Sequence, residues 1–299
     1  FSFVLSRPNI FVSSKKKTMD LVVQLWPTLR KGSHKLPLPT PVSLTRETLS
    51  RLSPNQYVVG VKNDGVRAVA LCMLDEKINY IKLINRKGKE TFQRLIQGDE
   101  PFFHGTLLDV EVMKDKSWVL LDVIAMEGFS TISDSFPDRL AKVTDEHIKI
   151  LRRAGIQLRK KAWFPLPEFD TCIQNLSGDC DGLIFMPLHD PIRVGRHNAM
   201  YKWKPQHTVD LVYKNGNFCC MTRSGLQPMQ NVVVESSIAC QENAVYECLI
   251  KKPQKWMVLF ARTDKHIPNF ITTVENCVQC VREGLGLEEL TLLVKKITF

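Results

Sequence analysis

The stretch Tyr57-Val-Val-Gly-Val-Lys62-Asn63-Asp64-Gly65-Val66-Arg67 runs as an apolar strand into a glycine-containing turn. It delivers a lysine at the strand end, with a carboxylate two residues on and an arginine five residues on. A lysine amine is a poor nucleophile while protonated at its ordinary pKa of about 10.4. It becomes useful where burial or neighbouring cations make the neutral form accessible. Strand-end placement holds the amine rigidly, Gly65 lets a phosphate approach the backbone, and Arg67 can donate two parallel hydrogen bonds to phosphate oxygens.

Other segments repeat this intrusion of charge into apolar strands. Leu108-Asp109-Val110-Glu111 sets two carboxylates in a strand, and Glu111 is expected to be the buried one, paired or metal-bound. Leu120-Leu121-Asp122-Val123-Ile124 does the same, and Asp181-Gly182-Leu183-Ile184-Phe185 starts a strand with an acid. Tyr201-Lys202-Trp203-Lys204 puts two lysines on one face of a strand and two aromatics on the other. Lysine, carboxylates and a basic pair on strands lining one cleft suit phosphoryl chemistry on a nucleotide, with cations to neutralise charge and acids to hold a metal.

Taken in order, these segments resemble the covalent nucleotidyltransferases, and among them the mRNA capping guanylyltransferases, especially the small enzymes of large DNA viruses. The series is Pro41-Val-Ser-Leu-Thr-Arg46, Lys62-Asn-Asp-Gly-Val-Arg67, Asn85-Arg86, Leu108-Asp-Val-Glu111, Leu121-Asp-Val123, Asp181-Gly-Leu-Ile184, Lys202-Trp-Lys-Pro205 and Arg262-Thr-Asp-Lys-His-Ile-Pro-Asn269. The last motif, with Thr208-Val-Asp210 upstream, is typical of capping enzymes rather than of the ATP-dependent ligases that share the lysine motif. Val110 stands where the family usually has glycine, and Asn63 where threonine is frequent.

The resemblance implies an α+β fold: a nucleotidyltransferase domain of ATP-grasp-like antiparallel sheets with helices over residues 36–206, then an OB-fold barrel over 207–286. A C-terminal helix at 287–299 would pack back on the first domain, and residues 1–35 would hold a leader and a short helix. The implied reaction moves GMP from GTP, through a bond to Lys62, onto 5′-diphosphate RNA. Lys202, Lys204, Arg262, Asp264 and Lys265 would share in catalysis. Arg67, Arg86, Glu111, Lys161, Asp181, Lys202 and Lys204 would contact GTP, with Glu111 and Asp181 toward Mg²⁺ or Mn²⁺. An RNA triphosphatase, a cap guanine-N7 methyltransferase and RNA polymerase are the implied functional partners, and the nucleus, or the cytoplasm for a cytoplasmically replicating virus, the implied compartment. The alternatives are an ATP-dependent RNA or DNA ligase, and a non-catalytic OB-bearing RNA-binding subunit.

Composition agrees with a polyanionic partner. The 299 residues carry 41 Lys+Arg against 31 Asp+Glu, a formal charge of +10. An apolar content of 44% is that of a folded protein, and no apolar run approaches the roughly 18 residues a membrane span requires. Nine cysteines at scattered spacing suit reduced intracellular thiols, and Cys277 and Cys280 read as core thiols on a helix rather than a zinc pair. Phe1–Thr18, free of acids and ending in Lys15, Lys16 and Lys17, is expected to be a disordered leader. Asp134–Ala154, Pro268–Gly284 and Leu287–Lys296 read as helical, and Asn215-Gly216 as a hairpin turn.

Overall fold

The computed structural model describes residues 15–30, 36, 38–75, 78–96, 100–177 and 180–298. The chain divides into two compact units. Unit 1 comprises residues 1–40, 63–162 and 187–199; unit 2 comprises 41–62, 163–186 and 200–299.

Helix α1 (Lys15–Leu25) opens the described chain in unit 1. Its Met19, Val22 and Leu25, with Trp26, are buried. Thr18 is buried too and accepts a hydrogen bond from the buried Lys82. The expected leader is therefore ordered helix from Lys15 onward, because the apolar positions after Thr18 need the extra turn to seat on the sheet; residues 1–14 lie outside the described ones. Strand β1 (Thr40–Ser43) follows, an edge strand that tolerates Pro41, then the short α2 (Arg46–Leu49) and β2 (Tyr57–Asn63).

Strands β3 (Val66–Asp75), β4 (Ile78–Asn85), β5 (Glu90–Ile96), β6 (His104–Val112), β7 (Trp118–Met126) and β8 (Phe129–Ser130) form the sheet of unit 1, in the order β5-β4-β3-β6-β7-β8. Alternate residues of β3 enter two different cores: Ala68, Ala70 and Cys72 join one, Val69, Leu71 and Met73 the other. A sheet covered on both faces explains why these strands read as continuous apolar runs. Helices α3 (Phe136–Ala141) and α4 (Asp145–Arg153) follow. They divide the single helical stretch expected over Asp134–Ala154, because Thr144 leaves the helical backbone and caps α4. Strand β9 (Leu158–Lys160) then runs parallel to β7, with Arg159 opposite Val119.

In unit 2, β10 (Phe164–Pro165), β11 (Cys180–Pro187) and β12 (Arg196–Trp203) complete a second sheet, ordered β1-β12-β11-β2-β10, with α5 (Phe169–Gln174) between β10 and β11 in the chain. One face of it buries Tyr57, Val59, Leu183, Phe185, Tyr201 and Trp203. Strands β13 (Thr208–Lys214), β14 (Asn217–Thr222), β15 (Gly225–Pro228), β16 (Val233–Glu235), β17 (Val245–Lys252) and β18 (Lys255–Ala261) make a third sheet, ordered β15-β14-β13-β17-β18-β16. The β13–β14 turn has Asn215 and Gly216 both at positive φ, the conformation its sequence demands. Helix α6 (Ile271–Glu283) sets Val274 into the core of this sheet. Helix α7 (Leu287–Thr298) instead buries Leu290 and Val294 in the core of the second sheet, and Trp203 Nε1 donates to the carbonyl of Leu285 at 2.8 Å. All nine cysteines are free, and burial raises the thiol pKa of both Cys277 and Cys280, as core thiols require.

Candidate functional site

In unit 2, three adjacent strands bring together the residues that the sequence singles out. Tyr57 and Val59 of β2 face the core, so the pleat turns Lys62 to the opposite face. Tyr201 and Trp203 of β12 are likewise buried, which turns Lys202 away from them. Asp181 is the second residue of β11, which lies between these two strands. Lys62 Nζ donates to Asp181 Oδ1 at 2.6 Å, and Lys204 Nζ pairs with Oδ2 of the same carboxylate. Burial pushes Asp181 upward, but the hydrogen bonds from Lys204 and Lys62 outweigh it and hold the carboxyl below the usual aspartate range. Burial and the neighbouring Lys204 push the Lys202 ammonium the other way, below the usual lysine range.

Gly182 makes this geometry possible. It sits at φ +145°, and a Cβ there would lie 2.0 Å from the carbonyl oxygen of Trp203. The close approach of β11 to β12 lets Asp181 reach Lys204 beyond the strand end.

In unit 1, Arg67, Asp109 and Glu111 lie at the polar end of one sheet face. Asp109 and Glu111 are two residues apart and share that face, and Arg67 is the register partner of Glu111. The buried carboxylate is Asp109, 1% exposed, and not Glu111 as expected. Arg67 explains the difference: its guanidinium forks onto both oxygens of Asp109 and also donates to the Pro39 carbonyl, so the acid is paired and can be buried. Glu111 is half-buried and accepts the Gly65 N–H at 3.2 Å. A Cβ on Gly65 would meet the Val112 carbonyl oxygen at 2.6 Å. Val110 is fully buried in the opposite core, so the residue in place of the usual glycine does not face Arg67. Arg86 follows β4 at the surface; desolvation and the charge of Arg67 lower its pKa. Lys161 Nζ donates to Asn63 Oδ1 at 3.3 Å.

The Arg262–Asn269 motif folds around an acid that sequence reasoning quoted without a role. Asp210 is 5% exposed and accepts from Arg262 at 3.0 Å and from Lys265. Arg262 also reaches Glu247 at 2.9 Å and Asp264 at 2.8 Å. Asn269 exchanges backbone and side-chain hydrogen bonds with Asp210. The hydrogen bonds from Arg262 hold Asp264 down at about 2. Glu247 was not marked in the sequence; its only signal was one acid in the alternating strand Val245–Leu249.

Antiparallel sheets bearing a strand-end lysine held by a carboxylate and a second lysine, followed by a separate β-rich segment, form a nucleotidyltransferase domain with a C-terminal OB domain. The mRNA capping enzyme catalytic domain matches residues 9–206, and the mRNA capping enzyme C-terminal domain matches 192–291. The chain belongs to the mRNA capping enzyme family. The mRNA-capping enzyme of Caenorhabditis elegans is 23% identical over 286 residues, which take in 80% of this chain and 45% of that protein. The mRNA-capping enzyme subunit alpha of Schizosaccharomyces pombe is 23% identical, with 84% of this chain and 77% of that protein covered. The chain thus spans less than half the length of the nematode relative. Among solved structures, mycobacterial DNA ligase D complexed with ATP and MES aligns with a TM-score of 0.46 at 13% identity, over 77% of this chain and 96% of that one. Among the described residues, no helix is long and apolar enough to cross a membrane.

Proposed function

We propose that this chain is an mRNA guanylyltransferase, which takes GMP from GTP as a lysyl phosphoramidate and passes it to the 5′-diphosphate end of RNA. The observation that carries the reading is the Lys62–Asp181–Lys204 bridge. It supports one amine as the nucleophile, with a carboxylate acceptor 2.6 Å from it and a second ammonium on the same carboxylate for phosphate. In the first step, Lys62 Nζ forms the N–P bond to the α-phosphorus and the α–β P–O bond breaks, releasing pyrophosphate. With both oxygens held by ammonium groups, Asp181 is a weak base. A phosphate that draws Lys204 away would strengthen Asp181 as the acceptor of the Lys62 proton. In the second step, a terminal β-phosphate oxygen of the RNA attacks the same phosphorus, the N–P bond breaks, and the leaving Lys62 nitrogen takes back its proton from Asp181.

Arg67, Arg86, Glu111 and Lys161 serve the same nucleotide in this reading, Lys202 and Lys204 its α-phosphate, and Arg262, Asp264 and Lys265 the leaving pyrophosphate. Lys265 and Arg262 are now held by Asp210, so they act once the OB domain shifts and exchanges that carboxylate for phosphate. Among the described residues, no cluster of three or more His, Cys, Asp or Glu could cage a metal alone. Glu111 of unit 1 and Asp181 of unit 2 are each a hard oxygen donor of the kind that Mg²⁺ or Mn²⁺ takes beside substrate phosphates. Such an ion would neutralise phosphate charge. An RNA triphosphatase upstream, a guanine-N7 methyltransferase downstream, RNA polymerase, and a nuclear or viral cytoplasmic setting complete the proposal.

The test is intact-mass and peptide mass spectrometry of the protein mixed with GTP or ATP and Mg²⁺. A GMP adduct on Lys62 is expected. An adduct with ATP alone would assign the chain to the ligase chemistry instead.

A further inference from the structure

Between Glu146 and Glu168 the chain has no acid, yet it carries Lys149, Arg152, Arg153, Arg159, Lys160 and Lys161. These six cations account for much of the surplus of +10. The fold places them on consecutive segments of unit 1, α4, the turn after it and β9. Arg152 and Arg153 close α4, Gly155 turns the chain, and β9 runs along β7 with Leu158 in the core and Arg159 and Lys160 exposed. Arg94 of β5 joins them: its guanidinium would lie 3.7 Å from a Cβ on Gly155.

Acids answer this row unevenly. Glu146 pairs with Lys149 and Arg153, and Glu100 approaches Arg153 at 3.8 Å. Among the described residues, no carboxylate forms an ion pair with Arg94, Arg152 or Lys160, and Arg159 is answered only by the charge of the exposed Asp115. At the other end, Lys161 bonds Asn63, the chain neighbour of Lys62.

We infer that this row, Arg94–Arg152–Arg159–Lys160, is the track for the sugar-phosphate backbone of the acceptor RNA behind its reacting 5′ end. The inference rests on the guanylyltransferase reading for the identity of the strand, and on the row itself for the charge. A single strand is favoured over an acidic protein because the row terminates at Lys161, beside the nucleophile segment. A polymer whose end reacts there must pass along such a path. Exposed cations at a helix end and on strands bind phosphates without reading bases, so the track accepts any sequence.

The experiment compares the full chain with the double variant Arg159→Ala/Lys160→Ala and with Arg152→Ala. Adduct formation from GTP without RNA is expected to stay unchanged. For a 5′-diphosphate RNA of about twenty nucleotides, KM should rise on the order of tenfold with kcat retained. The slope of log affinity against log salt should fall by about 1.4 for the double variant, at about 0.7 per lost single-strand phosphate contact. A dinucleotide acceptor, too short for the track, should show no change. Equal RNA affinity and salt slope in variant and parent would overturn the inference, as would loss of binding to an acidic peptide with RNA binding intact. Should the parent chain form no GMP adduct, the guanylyltransferase reading fails, and fluorescence binding of the same RNA still decides whether the track exists.

Discussion

Lys62 Nζ and Asp181 Oδ1 lie 2.6 Å apart, though 119 residues separate them in the chain. The pair is half-buried, and Lys204 occupies the other carboxylate oxygen. Asp181→Asn therefore leaves two ammonium groups facing a neutral amide that cannot hold both. We expect the rate of adduct formation to fall about 10²–10³-fold, the scale seen when one preorganised electrostatic partner is removed. Rapid-quench measurement with α-labelled GTP checks this; a rate within twofold of the parent would exclude Asp181 from the chemistry.

The same bridge sets a pH dependence. Because the Asp181 pKa is depressed in the folded protein, its stabilising contribution is complete above the ordinary aspartate value near 3.9. It is lost as pH falls through the lower folded value. A carboxyl-carbon NMR titration should place the Asp181 midpoint below 3.9, and Lys204→Met should move that midpoint upward. A midpoint at or above the ordinary value in the parent would contradict the bridge.

Lys202 is the opposite case. Burial and Lys204 disfavour its charge, so between its folded pKa and the unfolded value the unfolded chain binds more protons, and stability rises with pH across that window. Lys202→Met is accordingly expected to stabilise the protein at neutral pH, by about 0.5–2 kcal/mol, while slowing adduct formation. Chemical denaturation and single-turnover kinetics on one preparation test both halves. Destabilisation would show that the ammonium is held by favourable contacts instead.

Much of this site was legible because its residues break a pattern. Lys62, Asp181, Lys202 and Lys204 are charges within or at the ends of apolar strands, and strand alternation fixes which face each one takes. Which carboxylate in Leu108–Glu111 is buried was not legible, since it depends on the fork of Arg67 from the neighbouring strand. The start of α1 was missed because Lys15, Lys16 and Lys17 look solvated, whereas the helix is set by Thr18, Met19 and Val22, whose partners lie on a distant sheet. Asp210 was quoted only as part of a motif, and its three partners come from residues 262–269. Pairings of this kind leave no local period to read.

Gly182 separates steric need from conformational preference. At φ +145°, with the Trp203 carbonyl oxygen 2.0 Å from where a Cβ would sit, Gly182→Ala must push β11 away from β12. Gly216 also has positive φ, but no atom lies within 4 Å of its Cβ position. Gly216→Ala should cost on the order of 1 kcal/mol from backbone strain alone. Gly182→Ala should cost more than that and also abolish the adduct, because Asp181 moves with the strand. Equal destabilisation of the two variants in urea denaturation would show that the strands have room to separate.

Asp210 gathers Arg262, Lys265 and Asn269 beneath a 5% exposed carboxylate, and Arg262 spreads further to Glu247 and Asp264. Removing one member of a buried pair strands the other charges, at a cost of about 3–5 kcal/mol. Asp210→Ala is thus expected to destabilise the protein on that scale. Arg262→Ala leaves the buried carboxylate with Lys265 and Asn269, so it should cost less than Asp210→Ala. If Arg262 trades carboxylates for phosphate during catalysis, Arg262→Ala must also slow pyrophosphate release from GTP more than it weakens GTP binding. Stopped-flow binding alongside quenched turnover distinguishes the two effects. A loss confined to stability, with turnover per folded molecule intact, would make Arg262 a structural clamp of the β13–β17–β18 sheet and nothing more.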